Sequence, residues 1–155
     1  MSIIINYPKQ FSKEYKDFII VLSKLSELKN VKNLPIDTKL LSQSKELAKT
    51  LKDNHYSESF IESKISHSFH NIKIILIQNL KSDHSIFEGA KLFSNFNYNS
   101  NKELNFIFSS NLINNYSILC SNLLFGVLLR SYSFSKYKKS KEKFKPKIIN
   151  IFNFT

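Results

Sequence analysis

The feature that most constrains the fold of this chain is the run Ile72-Lys73-Ile74-Ile75-Leu76-Ile77. It is of strand length and nearly continuous in apolar residues, so it predicts a central strand covered on both faces, as in a sheet with helices packed on each side. Its neighbours fit that arrangement. Ile3 to Asn6 and Asp17 to Leu22 read as strands, the second rich in β-branched residues, and Leu104-Asn105-Phe106-Ile107-Phe108 alternates as a further one. Helical stretches lie between them. Pro35 and Asp37 make a helix start, followed by Leu40, Leu41, Ser44, Leu47, Ala48 and Leu51 at helical spacing. Asp83 caps a second helix carrying Ile86, Phe87, Ala90 and Phe93, in which Gly89 allows close packing. Strands alternating with helices imply an α/β sheet flanked by helices. Lys24 to Asn33 reads as a polar connection, Asn95 to Lys102 as an Asn-rich loop, and Ser109 to Asn115 as the lead into the last helix. From Lys52 to Asn71 the pattern is weak, and Phe60, Ile61 and Ile65 suggest one helical face.

The C-terminal third carries the most specific pattern. Tyr116, Leu119, Cys120, Leu123, Leu124, Val127 and Leu128 keep a period near 3.6, while Ile118, Phe125 and Leu129 fill much of the opposite side. That describes a helix with a second apolar face that something has to cover, which makes those three residues candidates for an interface. Aromatics between cations follow, namely Tyr132, Phe134 and Tyr137, then a Lys-rich stretch closed by Pro146 and a strand-like run from Lys147 to Phe152. The sequence thus divides this region into a helix, a basic loop over 131–146 and a last strand over 147–152.

Gly126, Leu128, Leu129, Tyr132, Phe134, Tyr137 and Lys138 fall in register on a pattern that resembles the end of the N-terminal domain of the leucyl (cytosol) aminopeptidases. Phe125, Arg130, Ser133 and Ser135 depart from it, standing where the family has an acidic residue, glycine, a cation and aspartate. The central strand and the following Gly89-Ala90 pair agree with the family's order, although the two glycines it places after that strand are replaced by Gln78, Asn79 and Leu80. A tight turn able to approach a phosphate is therefore absent there. The resemblance implies a single domain over 1–155 with a mixed sheet flanked by helices, a macrodomain-like three-layer sandwich. It also implies a scaffold without catalysis. In the family, peptide hydrolysis belongs to a second domain, where Lys, Asp and Glu hold two divalent metal ions, and no motif of that kind occurs here. The expectation is a split or truncated product that is inactive alone, holds no cofactor in this chain, and either self-associates or meets a separately encoded catalytic domain.

The residues themselves offer little chemistry. His67 and His70 lack a third ligand at metal spacing, no pair of carboxylates stands out as general acid and base, and no nucleophile elbow, phosphate loop or dinucleotide fingerprint is present. Cys120 lies within the apolar helix and reads as a buried, inert thiol. Charge is concentrated: eight cations face one carboxylate between residues 130 and 147, out of a formal net charge of +11. Arg130, Lys136, Lys138, Lys139, Lys141, Lys143 and Lys145 are therefore the candidates for contact with nucleic acid or an acidic partner. A solvated loop whose aromatics pack on the sheet is the reading favoured over the nucleic-acid one. The N-terminus lacks the basic start of a signal peptide, and no apolar run approaches the roughly 18 residues of a spanning helix. These features predict a cytoplasmic protein without membrane contact.

Overall fold

The computed structural model describes residues 4–11, 17–30, 38–67, 70–81, 84–95, 103–137 and 148–154. Among them the chain forms strand β1 (Ile4–Asn6), strand β2 (Asp17–Leu22), helix α1 (Thr38–Asn54), strands β3 (Phe60–His67) and β4 (His70–Ile77), helix α2 (Ser85–Asn95), strand β5 (Glu103–Ser109), helices α3 (Ser110–Asn115) and α4 (Ser117–Tyr137), and strand β6 (Ile148–Phe154). The strands form one mixed sheet in the order β1-β6-β5-β2-β4-β3. All pairs are parallel except the β3–β4 hairpin.

Period-2 alternation divides the sheet residues between two cores. Ile19, Val21, Ile75, Ile77, Leu104, Phe106, Phe108 and Ile149 face α2, α3 and α4, joining Leu92, Leu112, Leu119, Cys120, Leu123 and Val127. Phe18, Ile20, Leu22, Ile72, Ile74, Leu76, Ile107 and Phe152 face the other way, against Leu40 and Ala48 of α1. Helices on both faces of one sheet make a three-layer α/β sandwich, the fold class the alternation of strands and helices implied.

Three expectations from the sequence are corrected. The segment Phe60, Ile61 and Ile65, which suggested a helical face, is an edge strand: Phe60 faces the α2/α4 core while Ile61 and Ile65 face the α1 core. The hairpin register, with Ile61 opposite Leu76 and Ile65 opposite Ile72, overrides a short helical coincidence. With that strand outside it, β4 is interior and covered on both faces as expected, but the Ile74–Ile77 run is not the middle of the sheet. β2 is, flanked by β4 and β5, and every residue from Phe18 to Leu22 is 0% exposed. The long helix also runs through Tyr137, so residues 131–137 are helical rather than part of a basic loop. No proline interrupts them, and their spacing of apolar residues continues that of the preceding turns. Residues 138–147 lie outside the described residues, as does the expected cap Asp83.

Local chemistry explains the junctions. The Ser109 hydroxyl accepts from the Leu112 N–H at 3.3 Å and starts α3. Tyr116 leaves helical geometry at φ −135° and ψ 43°, its N–H donating to the Leu112 carbonyl, so the lead into the last helix is a separate short helix. Glu27 accepts from the N–H groups of Ser23 and Lys24, fixing the turn after β2. The Gln78 side-chain amide donates to the carbonyls of His55 and Glu58, tying the end of β4 to the turn before β3.

α2 and α4 cross at glycines on both sides. A Cβ on Gly89 would lie 1.9 Å from the Leu123 carbonyl oxygen, and one on Gly126 would lie 1.9 Å from that of Ile86. Neither obstruction is a side chain able to rotate away. Gly126→Ala should therefore force the helices apart and destabilise the protein by about 3 kcal/mol, read from urea unfolding; an unchanged midpoint would show that the crossing is loose.

Cys120 is buried, and burial pushes its thiol up from 9.0 to about 11. Since the folded value exceeds the unfolded one, this contribution to stability is complete below pH 9 and is lost as pH rises from 9 to 11. The unfolding free energy of the wild type minus that of Cys120→Ala should decline across that window. A flat difference would mean that the thiol ionises alike in both states.

Candidate functional site

α4 presents two faces of different character. Leu119, Cys120, Leu123 and Val127 point to the sheet, all 7% exposed or less. Ile118, Phe125 and Leu129, seven and four residues apart, form one stripe on the outer side and are 76%, 50% and 45% exposed. The packing of α2 sets this rotation. Gly126 meets the backbone of Ile86 and Ala90, so its neighbour Phe125 stands beside the crossing, and Ile86 on the opposing helix is itself 37% exposed. In α2 the inward residues are Ser85, Gly89 and Leu92, which turns Ile86 and Phe87 outward, contrary to the apolar face expected of that helix. The stripe begins at a cleft of about 380 Å³ between the end of β4 and the start of α4, lined by Leu80, Lys81, Ser85, Tyr116, Ile118 and Asn122.

A second cleft, of about 600 Å³, lies between the end of α1, the start of β3 and the outer side of α2. Glu58, Glu62 and Glu88 line it, and each has a basic partner: His55 Nδ1 at 3.4 Å from Glu58, Lys91 Nζ at 3.8 Å from Glu88, and Lys73 Nζ on Glu62. Two of these carboxylates are thus held by lysines, and the third lies beside an imidazole that is a charged partner only when protonated. Among the described residues no group of three or more His, Cys, Asp or Glu side chains is placed to hold a metal ion.

Sequence reasoning passed over Lys73. It lies inside the apolar run, is 1% exposed, and points to the α2/α4 core between Ile75 and the buried Asn71. Lys64 is opposite it in the β3–β4 register. Burial, then the charge of Lys73, lowers the Lys64 ammonium below its usual range, against opposing pulls from Asp17 and Glu62. Asn71 donates to Asp17 Oδ1 at 2.5 Å, so the hairpin end of the sheet holds two cations and two anions. The available signal was a lysine at an inward phase of a strand with both neighbours apolar.

Of the residues singled out from sequence, Ile118, Phe125 and Leu129 come together, and Arg130 lies exposed next to Leu129. Lys136 is in the last turn of α4, whereas Lys138, Lys139, Lys141, Lys143 and Lys145 lie outside the described residues. His67 and His70 are paired across the β3–β4 hairpin. No helix of the described residues is long and apolar enough to cross a membrane.

The pairing of a buried Lys73 with a partly exposed Glu62 makes an asymmetric prediction. Glu62→Ala leaves Lys73 without its carboxylate and should cost about 1–3 kcal/mol. Lys73→Met removes the buried charge and leaves Glu62, whose side chain is 30% exposed and reaches water, so it should cost less than Glu62→Ala. Urea unfolding of both checks this, and equal losses would mean that the ion pair itself stabilises the fold.

No family model matches the sequence, and no curated protein matches it. Among solved structures the chain is similar to a mutant of tomato leucine aminopeptidase, with a TM-score of 0.54 and 12% identity over 98% of this chain and 32% of that one. The chain thus spans about a third of that protein's length, and at this identity the likeness is one of fold.

Proposed function

We propose that this chain is a non-catalytic scaffold domain of the leucyl aminopeptidase type, corresponding to the family's macrodomain-like N-terminal domain, and that it works by docking other protein surfaces on α4. The observation that carries this reading is the stripe of Ile118, Phe125 and Leu129, held outward by the crossing with α2. Three large apolar side chains on one ridge are unusual on a monomer surface, and covering each contributes about 1.5–3 kcal/mol. The fold likeness to a leucine aminopeptidase and the match of residues 126–138 to that family's pattern support the assignment. In this reading the family's two-metal peptide chemistry belongs to a catalytic domain, and this chain contributes an assembly surface to it. The compartment that fits is the cytoplasm.

Phe125 is the sharpest probe, because at 50% exposure a carboxylate there is solvated in the free domain and desolvated in a contact. Light scattering should find the wild type as an assembly and Phe125→Glu as a smaller particle with an unchanged circular dichroism spectrum. A wild type with the same mass as the folded variant would overturn the docking role of the stripe.

A further inference from the structure

We infer that β3 is a self-pairing edge through which two copies of this chain join their sheets antiparallel, about a two-fold axis at Ser63. β3 is the last strand of the sheet, and its ladder partner among the described residues is β4. The outward N–H and C=O groups of such an edge are a template for another strand. Nature usually blunts edges with a lysine, and Lys64 stands in the middle of this one.

Here the lysine does not block a second copy, because the sequence around it is self-complementary. In Ile61-Glu62-Ser63-Lys64-Ile65, antiparallel pairing centred on Ser63 puts Glu62 opposite the partner's Lys64, Lys64 opposite the partner's Glu62, and Ile61 opposite the partner's Ile65. Both charge pairs are attractive and both apolar pairs match, as an isologous two-fold contact requires. Shifting the register by two residues breaks the opposition of the charges, so the pairs select this register while the backbone ladder supplies the attachment. Glu62 already holds Lys73, and a carboxylate has acceptor sites for a second ammonium.

Ser63 is an independent observation. It is 2% exposed, and among the described residues its hydroxyl has no hydrogen-bond partner, which is costly for a buried polar group. At the two-fold axis it lies opposite the partner's Ser63, on the same face of the joined sheet. Directly opposite residues in an antiparallel pair are close enough for one hydroxyl to donate to the other. The second copy thereby satisfies a group left unsatisfied among the described residues of one chain. The edge is at the far side of the sheet from β1 and does not involve the stripe on α4, so the inference stands apart from the docking role proposed above.

Sedimentation equilibrium of the full chain tests it, using Phe125→Glu to remove any contact through the stripe. That variant should sediment as a dimer. Adding Lys64→Glu places Glu62 opposite the partner's new carboxylate at both symmetry-related positions, while Glu62 remains to hold Lys73. It should weaken the dimer roughly tenfold or more with an unchanged circular dichroism spectrum. Adding Glu62→Lys as well restores opposite charges across the axis and keeps a carboxylate opposite Lys73, so the triple variant should regain the dimer. Lys64→Glu in the wild-type background gives the same comparison if Phe125→Glu fails to fold. A Phe125→Glu chain that is folded and monomeric, a dimer indifferent to Lys64→Glu, or a charge swap that does not restore association would overturn the inference. A stripe that proves inert, with dimerisation still following the charges of β3, would refute only the docking role of α4.

Discussion

The contact on which the rest of the helical layer depends is a backbone-to-backbone crossing. The chain has two glycines, Gly89 and Gly126, and both are at the point where α2 and α4 touch. Without side chains there, the carbonyls of Leu123 and Ile86 occupy the space of the two missing Cβ atoms. A pair of helices held this closely has little freedom to rotate, because rotation would drive a side chain into the opposing backbone. The crossing therefore fixes which residues of α4 meet the sheet. Leu119, Cys120, Leu123 and Val127 go inward, and Ile118, Phe125 and Leu129 are left facing water. The exposed stripe is a geometric consequence of the close packing beside it.

Much of this architecture is legible in the residues. β2 and β5 were evident because their runs are apolar and bounded by polar residues, and the layers follow from helices placed between them. The stripe was readable too, since Ile118, Phe125 and Leu129 recur on one side of a helical projection. What was not legible depends on distance along the chain. Gly89 invited close packing from its own segment, but nothing there points to a second glycine 37 residues further on as the surface it meets. β3 was misread because Phe60, Ile61 and Ile65 fit a helical face over a span too short to separate periods of 2 and 3.6. Its correct period emerges once β4 is alongside, with Glu62 next to Ile75 and Lys64 next to Lys73.

Lys73 illustrates how a sheet tolerates a charge that the surrounding run does not announce. Its position inside an isoleucine-rich strand is compatible with folding because Glu62, on the neighbouring strand, meets the ammonium. A pair whose ammonium is buried and whose carboxylate is 30% exposed is weak evidence for stability, since desolvating the ammonium offsets much of the attraction. Its effect is on specificity of pairing. A slip of the hairpin by one residue would turn Lys73 to the α1 core and leave Glu62 on the opposite face. The charges thus act as a registration mark for the β3–β4 hairpin, which the apolar residues, being isoleucines on both faces, do not supply.

The parallel pairing of β1 with β6, Ile4 beside Ile148, has a consequence for the birth of the molecule on the ribosome. The strand made first has its ladder partner 144 residues away, so at roughly 5–20 residues per second β1 waits about 7–29 s for β6 to be synthesised. During that interval the chain can assemble the hairpin, β2 and β5, all of which find partners among segments already made. β1 is short, and Ile4 and Ile5 keep 55% and 38% exposure even after docking, so little is lost by its waiting. Both ladders of β6, with β5 and with β1, therefore have to form after the other strands of the sheet have been made.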